Sequence, residues 1–410
     1  MKELQNILKT FEQTKNSSQN IALATLVKAQ GSTYRRPGAR MLMTSQGQMV
    51  GSLSGGCLEG DVFEQAQVVM TSGQPIVVQY DTMSDEDIVW GLGLGCNGIV
   101  QILIEAIEEK SPLTPILHHP RNLVTKAPAY QGGNQKKLTS PLSKGGLRGV
   151  NPLAFLTDCL HQRQPGVLAT VFHVEGQVKA QIATRLMVYP DGTLMSNIED
   201  ADLVAQIRDD AWKVLNESRS TVKTYPLPTG KAEVFIEVIQ PPVPLMIFGA
   251  GHDALPLVRL AQELGWYVTV VDSRKVETTR ERFSSVDEVI LCRPEGIGES
   301  VPVDDRTMAV VMTHNYLHDL EILKILLPSP VRYLGILGPK SRTEKLFQEL
   351  QEQGITPAAN QLQRLYSPVG LNIGADTPEE IALSIVAEIQ AVLSNHSGGS
   401  LRNKVGPIHD

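Results

Sequence analysis

Residues 245–272 read LMIFGAGHDALPLVRLAQELGWYVTVVD, and this stretch decides the fold of the C-terminal half of the chain. Four consecutive apolar residues open it, as expected for a parallel strand covered on both faces. A glycine turn of the form GxGxxA follows at residues 249–254, and an apolar-periodic helix then runs to a glycine. A second apolar strand ends at Asp272, 21 residues after Gly251. Strand, glycine turn, helix, strand and terminal acid in this order predict a Rossmann-like unit.

Further apolar segments extend this unit into a sheet. They cover residues 289–291, 308–312 and 333–337, and helical segments separate them. The right-handed crossover rule makes such strands parallel, so we predict a doubly wound α/β sheet. Ligands of such sheets bind beyond the carboxyl ends of the strands and at the N-terminus of the first helix. The predicted ligand contacts in this half are therefore Gly249, Gly251, His252, Asp253 and Asp272.

Three polar residues in this half could have roles other than contacting a ligand at the glycine turn. Asp253 stands where a helix N-cap would stand, so a capping role competes with ligand binding. His314 and His318 have the i, i+4 spacing of a zinc pair, but no third ligand is nearby apart from Asp319. A metal site at these two histidines is therefore the minor interpretation.

The N-terminal half contains an internal repeat. Residues 23–80 align without a gap to residues 168–225, an offset of 145 residues, with 11 identities in 58 positions. The offset falls to 132 before the matching ends Ile104-Glu105 and Ile236-Glu237, which leaves 13 additional residues in the first copy. We therefore predict an N-terminal α+β domain with an internal duplication, followed by the C-terminal Rossmann-like doubly wound parallel sheet.

Only the first copy places cysteines among glycines. It has SGGC at residues 54–57, where the second copy has EDAD at residues 199–202, and its additional residues include GLGLGCNG at residues 91–98. A free cysteine often packs in the core as a small hydrophobe, and we assign Cys159 and Cys292 to that role because they lie in apolar segments. The second copy is interpreted as scaffold. The candidate site residues of the first copy are Gly55, Gly56, Cys57, Gly95 and Cys96.

Length and composition limit the class of protein. The 410 residues are enough for two or three domains. A net charge of -7 without a dense Lys/Arg run excludes a typical nucleic-acid surface. No stretch approaches the roughly 20 apolar residues of a membrane span, and the N-terminus shows no apolar leader, so we expect a cytoplasmic protein. Four cysteines without a CxxC pair exclude a zinc ribbon and a disulfide scaffold.

Four segments follow from these patterns. Residues 1–110 hold the first copy, and residues 151–240 hold the second. Between them, residues 111–150 are rich in Pro, Gly, Ser, Asn and Lys and lack apolar periodicity, so we predict a flexible insertion. The proline run at residues 241–244 marks a linker, and residues 241–410 form the predicted Rossmann-like domain.

Seven stretches spread over the chain share one family resemblance. In the first half they are GSTYRRPGARML (31–42), GSLSGGCLE (51–59) and WGLGLGCNG (90–98). In the second half they are FGAGHDALPLVRLAQELGW (248–266), VVMTHNYLHDL (310–320), LGILGPKSRTEKL (334–346) and SPVGLNIGADTPEEIALSIVAEI (367–389). Together these stretches resemble the XdhC/CoxI family over nearly the whole chain. The departures from the family pattern are Tyr34 in place of Pro, Asn97 in place of Gly, and the insertion.

The resemblance implies an accessory factor rather than a catalyst. Members of the family look like chaperones that bind molybdenum cofactor, protect it and support its sulfuration by a cysteine desulfurase. They then insert it into a molybdenum hydroxylase of the xanthine dehydrogenase class. The cofactor, with or without an appended nucleotide, would be the cargo, and a homodimer is one of the open oligomeric states.

The cofactor's chemistry suggests how the candidate residues would contact it. Soft metals favour thiolate ligands, so Cys57 and Cys96 are the expected metal contacts. The neighbouring glycines let backbone N–H groups approach a bulky anion. Arg35 and Arg36 precede a Pro-Gly turn and are candidates for clamping a phosphate, although exposed arginines are often simply solvated.

Two other functions compete with the chaperone. The glycine turn by itself also fits an NAD(P)-dependent oxidoreductase, but fold alone does not establish that chemistry. A dehydrogenase needs a proton donor and a substrate pocket, and only His314 and His318 are candidates for such a set. The third interpretation is an interaction protein whose Rossmann-like domain has lost its ligand, and the intact GxGxxA turn and Asp272 count against it.

Overall fold

The computed structural model of the protein describes residues 1–14, 19–81, 98–107, 150–273 and 277–405. The chain divides into two compact units, of which one comprises Glu3–Pro241 and the other begins at Pro242. Among the described helices, none is long and apolar enough to cross a membrane.

The first unit contains two five-stranded antiparallel sheets of the same design. The strands of the first sheet are β1 (Ile21–Gly31), β2 (Arg40–Thr44), β3 (Met49–Gly51), β4 (Ile76–Asp81) and β5 (Gly98–Ala106). Their order across the sheet is β3-β2-β1-β5-β4. The described helices of this copy are α1 (Lys2–Thr14) and α2 (Glu59–Ser72).

The second sheet repeats this order with the strands of the second copy. These strands are β6 (Gly166–Gly176), β7 (Arg185–Val188), β8 (Leu194–Ser196), β9 (Thr221–Leu227) and β10 (Gly230–Ile239). Their order is β8-β7-β6-β10-β9, and the accompanying helices are α3 (Pro152–Gln162) and α4 (Ala201–Glu217). The strands follow the offsets of 145 and 132 read from the sequence, so the predicted duplication is confirmed.

The central strands of each sheet are buried on both faces because they are almost continuously apolar. One face of the first sheet packs against α2, where Ala24 and Leu26 meet Val62 and Val69. The opposite face packs against the other copy. The shared cores there contain Leu23, Leu42, Val27, Leu103, Leu168, Met187, Phe172 and Phe235. The two copies are thus two sheets packed face to face, with a long helix on each outer face.

Two buried ion pairs join the copies reciprocally. Nη1 of Arg40 in β2 donates to Glu237 in β10 at 2.8 Å. Nη2 of Arg185 in β7 donates to Glu105 in β5 at 2.6 Å. Both arginines are at most 5% exposed. Because the members of the two pairs are related by the repeat, each copy supplies a cation and a carboxylate to the other.

The second unit is a six-stranded parallel sheet. Its strands are β11 (Pro244–Phe248), β12 (Tyr267–Asp272), β13 (Glu288–Leu291), β14 (Met308–Val311), β15 (Tyr333–Ile336) and β16 (Leu365–Tyr366). The order β13-β12-β11-β14-β15-β16 is the 3-2-1-4-5-6 order of the Rossmann fold, with its switch point between β11 and β14. The predicted fold class is therefore confirmed.

Helices cover both faces of this sheet. They are α5 (Ala254–Glu263), α6 (Glu277–Arg282), α7 (Ile297–Ser300), α8 (Tyr316–Leu326), α9 (Lys340–Glu352), α10 (Ala359–Leu362) and α11 (Pro378–Leu393). Leu257 of α5 and Ile385 of α11 share one apolar core, whereas Leu323 of α8 and Leu346 of α9 share the core of the opposite face. This two-sided cover leaves the carboxyl ends of the strands as the edge at which polar loops gather.

Candidate functional site

The loop between β3 and α2 presents Cys57, and one carboxylate organises it. The side chain of Glu59 accepts hydrogen bonds from four backbone N–H groups and two hydroxyls of its own loop. The N–H donors are Leu53, Ser54 and Gly56 at 2.9 Å and Leu58 at 3.1 Å. The hydroxyl donors are Ser52 at 2.9 Å and Ser54 at 2.5 Å. One side chain therefore fixes the path of residues 52–58.

These donors keep Glu59 ionised. Burial alone would raise the pKa of this carboxyl, but the hydrogen bonds from Ser54, Leu53 and Ser52 outweigh burial and lower its pKa from 4.5 to about 2. Near neutral pH the loop is thus wrapped around a negative charge, and its N–H groups are oriented toward that charge rather than toward solvent.

Cys57 itself is exposed on this loop. The two residues before it, Gly55 and Gly56, have φ angles of 82° and 122°, which side-chain-bearing residues rarely adopt. The glycines are therefore needed for the backbone path that leads to the thiol. An exposed thiol on a constrained loop differs from the buried, packed cysteine that was the competing interpretation.

A second motif of the first copy lies beside this loop. A Cβ on Gly55 would approach the ring of Tyr34 to 2.9 Å, so the tyrosine ring rests on the glycine backbone. Tyr34 is 62% exposed. The third motif ends at Gly98, which pairs with Gly31 and has the backbone of Ser32 next to it. Stretches 31–38 and 51–59 and the end of stretch 90–98 thus meet at one end of the first sheet.

Two predicted site residues, Gly95 and Cys96, lie outside the described residues. The two predicted arginines differ in their surroundings. Arg35 makes a two-pronged ion pair with Glu3 of α1, and the same carboxylate accepts the N–H of Ser52 at 2.5 Å. The cation is therefore engaged within the protein and ties two loops together. Arg36 is exposed, and its guanidinium has no ion-pair partner among the described residues.

At the equivalent loop of the second copy, a conventional helix cap replaces the enclosed carboxylate. The carboxylate of Asp200 caps α4 by accepting the N–H of Leu203 at 3.0 Å. Val204 stands at the position of Glu59. Because α4 starts at Ala201, the residue equivalent to Cys57, Asp202, lies in its first turn.

At the glycine turn of the Rossmann unit, a carboxylate fills the space next to Gly251. A Cβ on Gly251 would lie 2.2 Å from Oδ1 of Asp253. The other oxygen of Asp253 lies 2.6 Å from Nε2 of His314, whose φ of 59° is left-handed. Asp253 makes no side-chain cap of α5, so the capping interpretation is wrong. Gly249 has a φ of 120°, and a Cβ at this position would lie 2.5 Å from the carbonyl oxygen of Met312. Close backbone packing is therefore a sufficient reason for a glycine here.

A narrow cleft with a volume of about 10 Å³ lies at the carboxyl ends of β11 to β14. Its polar lining includes Asp272, Ser273, Cys292, Thr313 and His318. Nδ1 of His318 lies 3.4 Å from the hydroxyl of Ser273. His252, in contrast, is exposed on the glycine turn.

The structure argues against a zinc pair at the two histidines. His314 precedes Asn315, the N-cap of α8, so it does not share a helix face with His318. Asp319 is instead bound by Thr313 and by Arg342 at 2.7 Å. Among the described residues, no group of three or more His, Cys, Asp or Glu side chains is arranged to hold a metal ion.

The two remaining cysteines have different environments. Cys159 is fully buried in α3, as predicted, and burial together with Asp158 raises its pKa to about 12. Cys292 was predicted to pack in the core, and it does pack against one core of the Rossmann sheet. Because it follows an edge strand, however, it is only half-buried and also lines the cleft. Burial raises its pKa, so it remains a protonated thiol near neutral pH.

Sequence reasoning did not single out Glu59 and Glu3. The acid at the first position of α2 is a weak signal, because acids are common in the first turn of any helix. No local pattern marks Glu3, whose two partners come from distant loops.

The comparisons with known proteins agree with this architecture. The XdhC and CoxI family model matches residues 15–81 and 159–226, one stretch in each copy. The XdhC Rossmann domain model matches residues 245–389. The chain therefore belongs to the XdhC and CoxI family.

Three similar proteins have informative names. A Bacillus subtilis protein named as a probable xanthine dehydrogenase subunit is 32% identical over 369 residues, which cover 90% of this chain and 91% of that protein. The molybdenum cofactor insertion chaperone PaoD from Escherichia coli is 31% identical over 103 residues, which cover 25% of this chain and 31% of PaoD. A Bacillus halodurans crystal structure described as a xanthine dehydrogenase has a TM-score of 0.69 and 29% identity, covering 96% of this chain and 98% of that one.

Proposed function

We propose that this protein is an accessory factor of a xanthine dehydrogenase-class molybdenum hydroxylase and carries molybdenum cofactor to it. The names of the relatives support both the partner and the cargo. In this role the protein shields the cofactor in the cytoplasm, presents it to a cysteine desulfurase for sulfuration and then inserts it into the hydroxylase.

The observation that carries the proposal is the exposed Cys57 on a constrained glycine loop. A thiolate is a suitable soft ligand for the metal of the cargo. Cys57 and Cys96 are the proposed metal contacts, and the absence of side chains at Gly55, Gly56 and Gly95 is proposed to let the cargo approach the backbone closely. The N–H groups of Gly55 and Gly56 are not donors to it, because they already donate to Ser52 and Glu59. Arg36 is the better candidate for an anionic group of the cargo, because Arg35 is already paired with Glu3.

The Rossmann unit is the proposed receptor for a phosphate-bearing part of the cargo, with Gly249, Gly251 and His252 at the glycine turn and Asp272 at the end of β12 as its proposed contacts. The position of Asp253 sets a condition on this role. A phosphate that approaches Gly251 meets a carboxylate, and like charges repel at this distance. Binding there therefore requires Asp253 to turn away, and His314 is then available to the anion.

The same condition applies to the alternative function, an NAD(P)-dependent oxidoreductase. In such enzymes the second glycine of the turn admits the pyrophosphate, and here the side chain of Asp253 would have to leave that space first. The family membership is what favours the accessory factor over the oxidoreductase.

The direct experiment is purification of the full chain from a molybdate-supplied host, followed by elemental and pterin analysis. The proposal predicts molybdenum and pterin in comparable amounts. Cys57→Ala and Cys96→Ala should each reduce both, whereas Cys159→Ala is the control that changes a buried thiol. Bound NAD(P) without pterin would reject the chaperone and support the oxidoreductase.

A further inference from the structure

Glu59 accepts hydrogen bonds from residues along the whole length of the loop that carries Cys57. Its two carboxylate oxygens receive N–H groups from Leu53, Ser54, Gly56 and Leu58, together with two serine hydroxyls. The side chain lies at the first position of α2, immediately after the loop it binds. The carboxylate thus acts as an internal anchor that the loop encloses.

The second copy is an internal control for what the fold itself requires. The same strand and helix are present there, but the residue at the position of Glu59 is Val204. That helix starts with an ordinary cap from Asp200, and the preceding loop needs no enclosed carboxylate. Formation of the sheet and its helix therefore does not depend on an acid at this position.

The acid changes where the helix begins. By the offset of 145 residues, Ala201 at the start of α4 is equivalent to Gly56, whereas α2 starts three residues later at Glu59. Gly56, Cys57 and Leu58 consequently lie in the loop, and their equivalents lie in a helical turn. Cys57 and its equivalent Asp202 are both exposed, so the copies differ in the backbone that carries the side chain: a loop held by Glu59 in the first copy and a helical turn in the second.

We propose that Glu59 is a positioning residue for Cys57, holding residues 52–58 out of the helix so that the thiol faces the cargo. This inference rests on the proposed function of Cys57, because Glu59 would affect cargo binding only through the position of that thiol.

The first test needs no cargo. Amide hydrogen exchange of the full chain is compared for wild type, Glu59→Gln and Glu64→Gln, the latter being the same change at an exposed position of α2. Exchange across residues 53–58 should accelerate about tenfold or more in Glu59→Gln, since hydrogen bonds to a charge are the strong ones. Residues 198–203 and the Glu64→Gln protein should match wild type. Unchanged exchange at residues 53–58 would overturn the proposal.

The second test asks whether Glu59 acts through Cys57. Molybdenum and pterin retention are measured for Cys57→Ala, Glu59→Gln and the double variant, with Glu59→Asp as the conservative variant. If Glu59 only positions the thiol, the double variant should retain as much cargo as Cys57→Ala alone. Glu59→Asp should recover part of the loss. Additive losses in the double variant would overturn the proposal, because they would show a role independent of Cys57.

The tests separate the two proposals. Wild-type retention in Cys57→Ala would reject Cys57 as a cargo ligand, and with it the positioning role that depends on it, even if the exchange result showed that Glu59 orders the loop. Reduced retention in Cys57→Ala with full retention in Glu59→Gln would keep the proposed function and overturn the positioning role. If Glu59→Gln does not fold, Ser52→Ala removes one donor to the same carboxylate and is measured in its place.

Discussion

The two copies in the first unit share a fold, and the clearest difference between their described residues is one loop. Their sheets have the same strand order, and their equivalent strands keep the offsets of 145 and 132 residues. After the third strand, however, the first copy forms a glycine loop around Glu59, and the second goes directly into a capped helix. The common part is what the fold needs, so the difference marks the loop for which we propose a function of its own.

The largest expected effect comes from breaking the two buried ion pairs that join the copies. Glu237→Ala and Glu105→Ala each leave a buried arginine unpaired, and we expect each to lower the free energy of unfolding by about 3–5 kcal/mol. Urea denaturation of the full chain measures this. The double variant Arg40→Met with Glu237→Leu should restore most of the loss. A large loss for only one of the two glutamate substitutions would show that the two ion pairs are not equivalent.

The next largest effect should distinguish a cysteine that packs in the core from the cysteine of the candidate site. Cys159 packs so tightly that a Cβ on Gly166 would lie 2.6 Å from its sulfur. Cys159→Ala should therefore lower the free energy of unfolding by about 1–3 kcal/mol, whereas Cys57→Ala should change it by no more than about 0.5 kcal/mol. Denaturation curves of the two variants, measured together, test this; a larger loss for Cys57→Ala would indicate that its loop is part of the packed core.

A third change tests the connection between the copies. Val150 is buried, and its carbonyl accepts Nη1 of Arg185 at 3.1 Å, so the deletion should stop before it. Replacing residues 111–149, which lie outside the described residues, by a short Gly/Ser link should raise the free energy of unfolding by up to about 2 kcal/mol, because a shorter loop loses less entropy on closure. A marked drop in thermal stability would mean that the segment contributes packing.

The smallest effect is a pH dependence that comes from Glu59 in the first copy. The pKa of Glu59 is lowered from 4.5 to about 2, so its stabilising contribution is complete above pH 4.5 and is lost as the pH falls toward 2. Over that window the stability advantage of wild type over Glu59→Gln should shrink, with a total change on the order of 1 kcal/mol for this partly exposed group. Unfolding curves across the window measure the difference, and a constant difference would contradict the prediction.

Much of the fold could be predicted because local sequence patterns specify it. The apolar run, glycine turn and Asp272 define the Rossmann unit, and the repeat offset defines the two copies. The ion pairs between copies were not predicted. Arg40 and Glu237 are 197 residues apart in the chain, and only the packing of one sheet on the other brings them together.

The site could be predicted only in part, for a similar reason. The glycines around Cys57 are visible as a motif, but the bonds from their backbone to Glu59 are not. Cys292 appeared to be a core residue because it follows an apolar strand, yet that strand is at the edge of the sheet and leaves the thiol half-buried. The spacing of His314 and His318 suggested a helical pair, which the left-handed backbone of His314 prevents.

The reciprocal ion pairs also bear on how the chain matures on the ribosome. Arg40 is made early, but its carboxylate partner, Glu237, emerges after almost 200 further residues have been added. Until then, the first sheet has an arginine without this counter-charge and an apolar face without its cover. Nascent chains arrested before Glu237 should therefore be protease-sensitive, and those extended past β10 should become resistant in a single step.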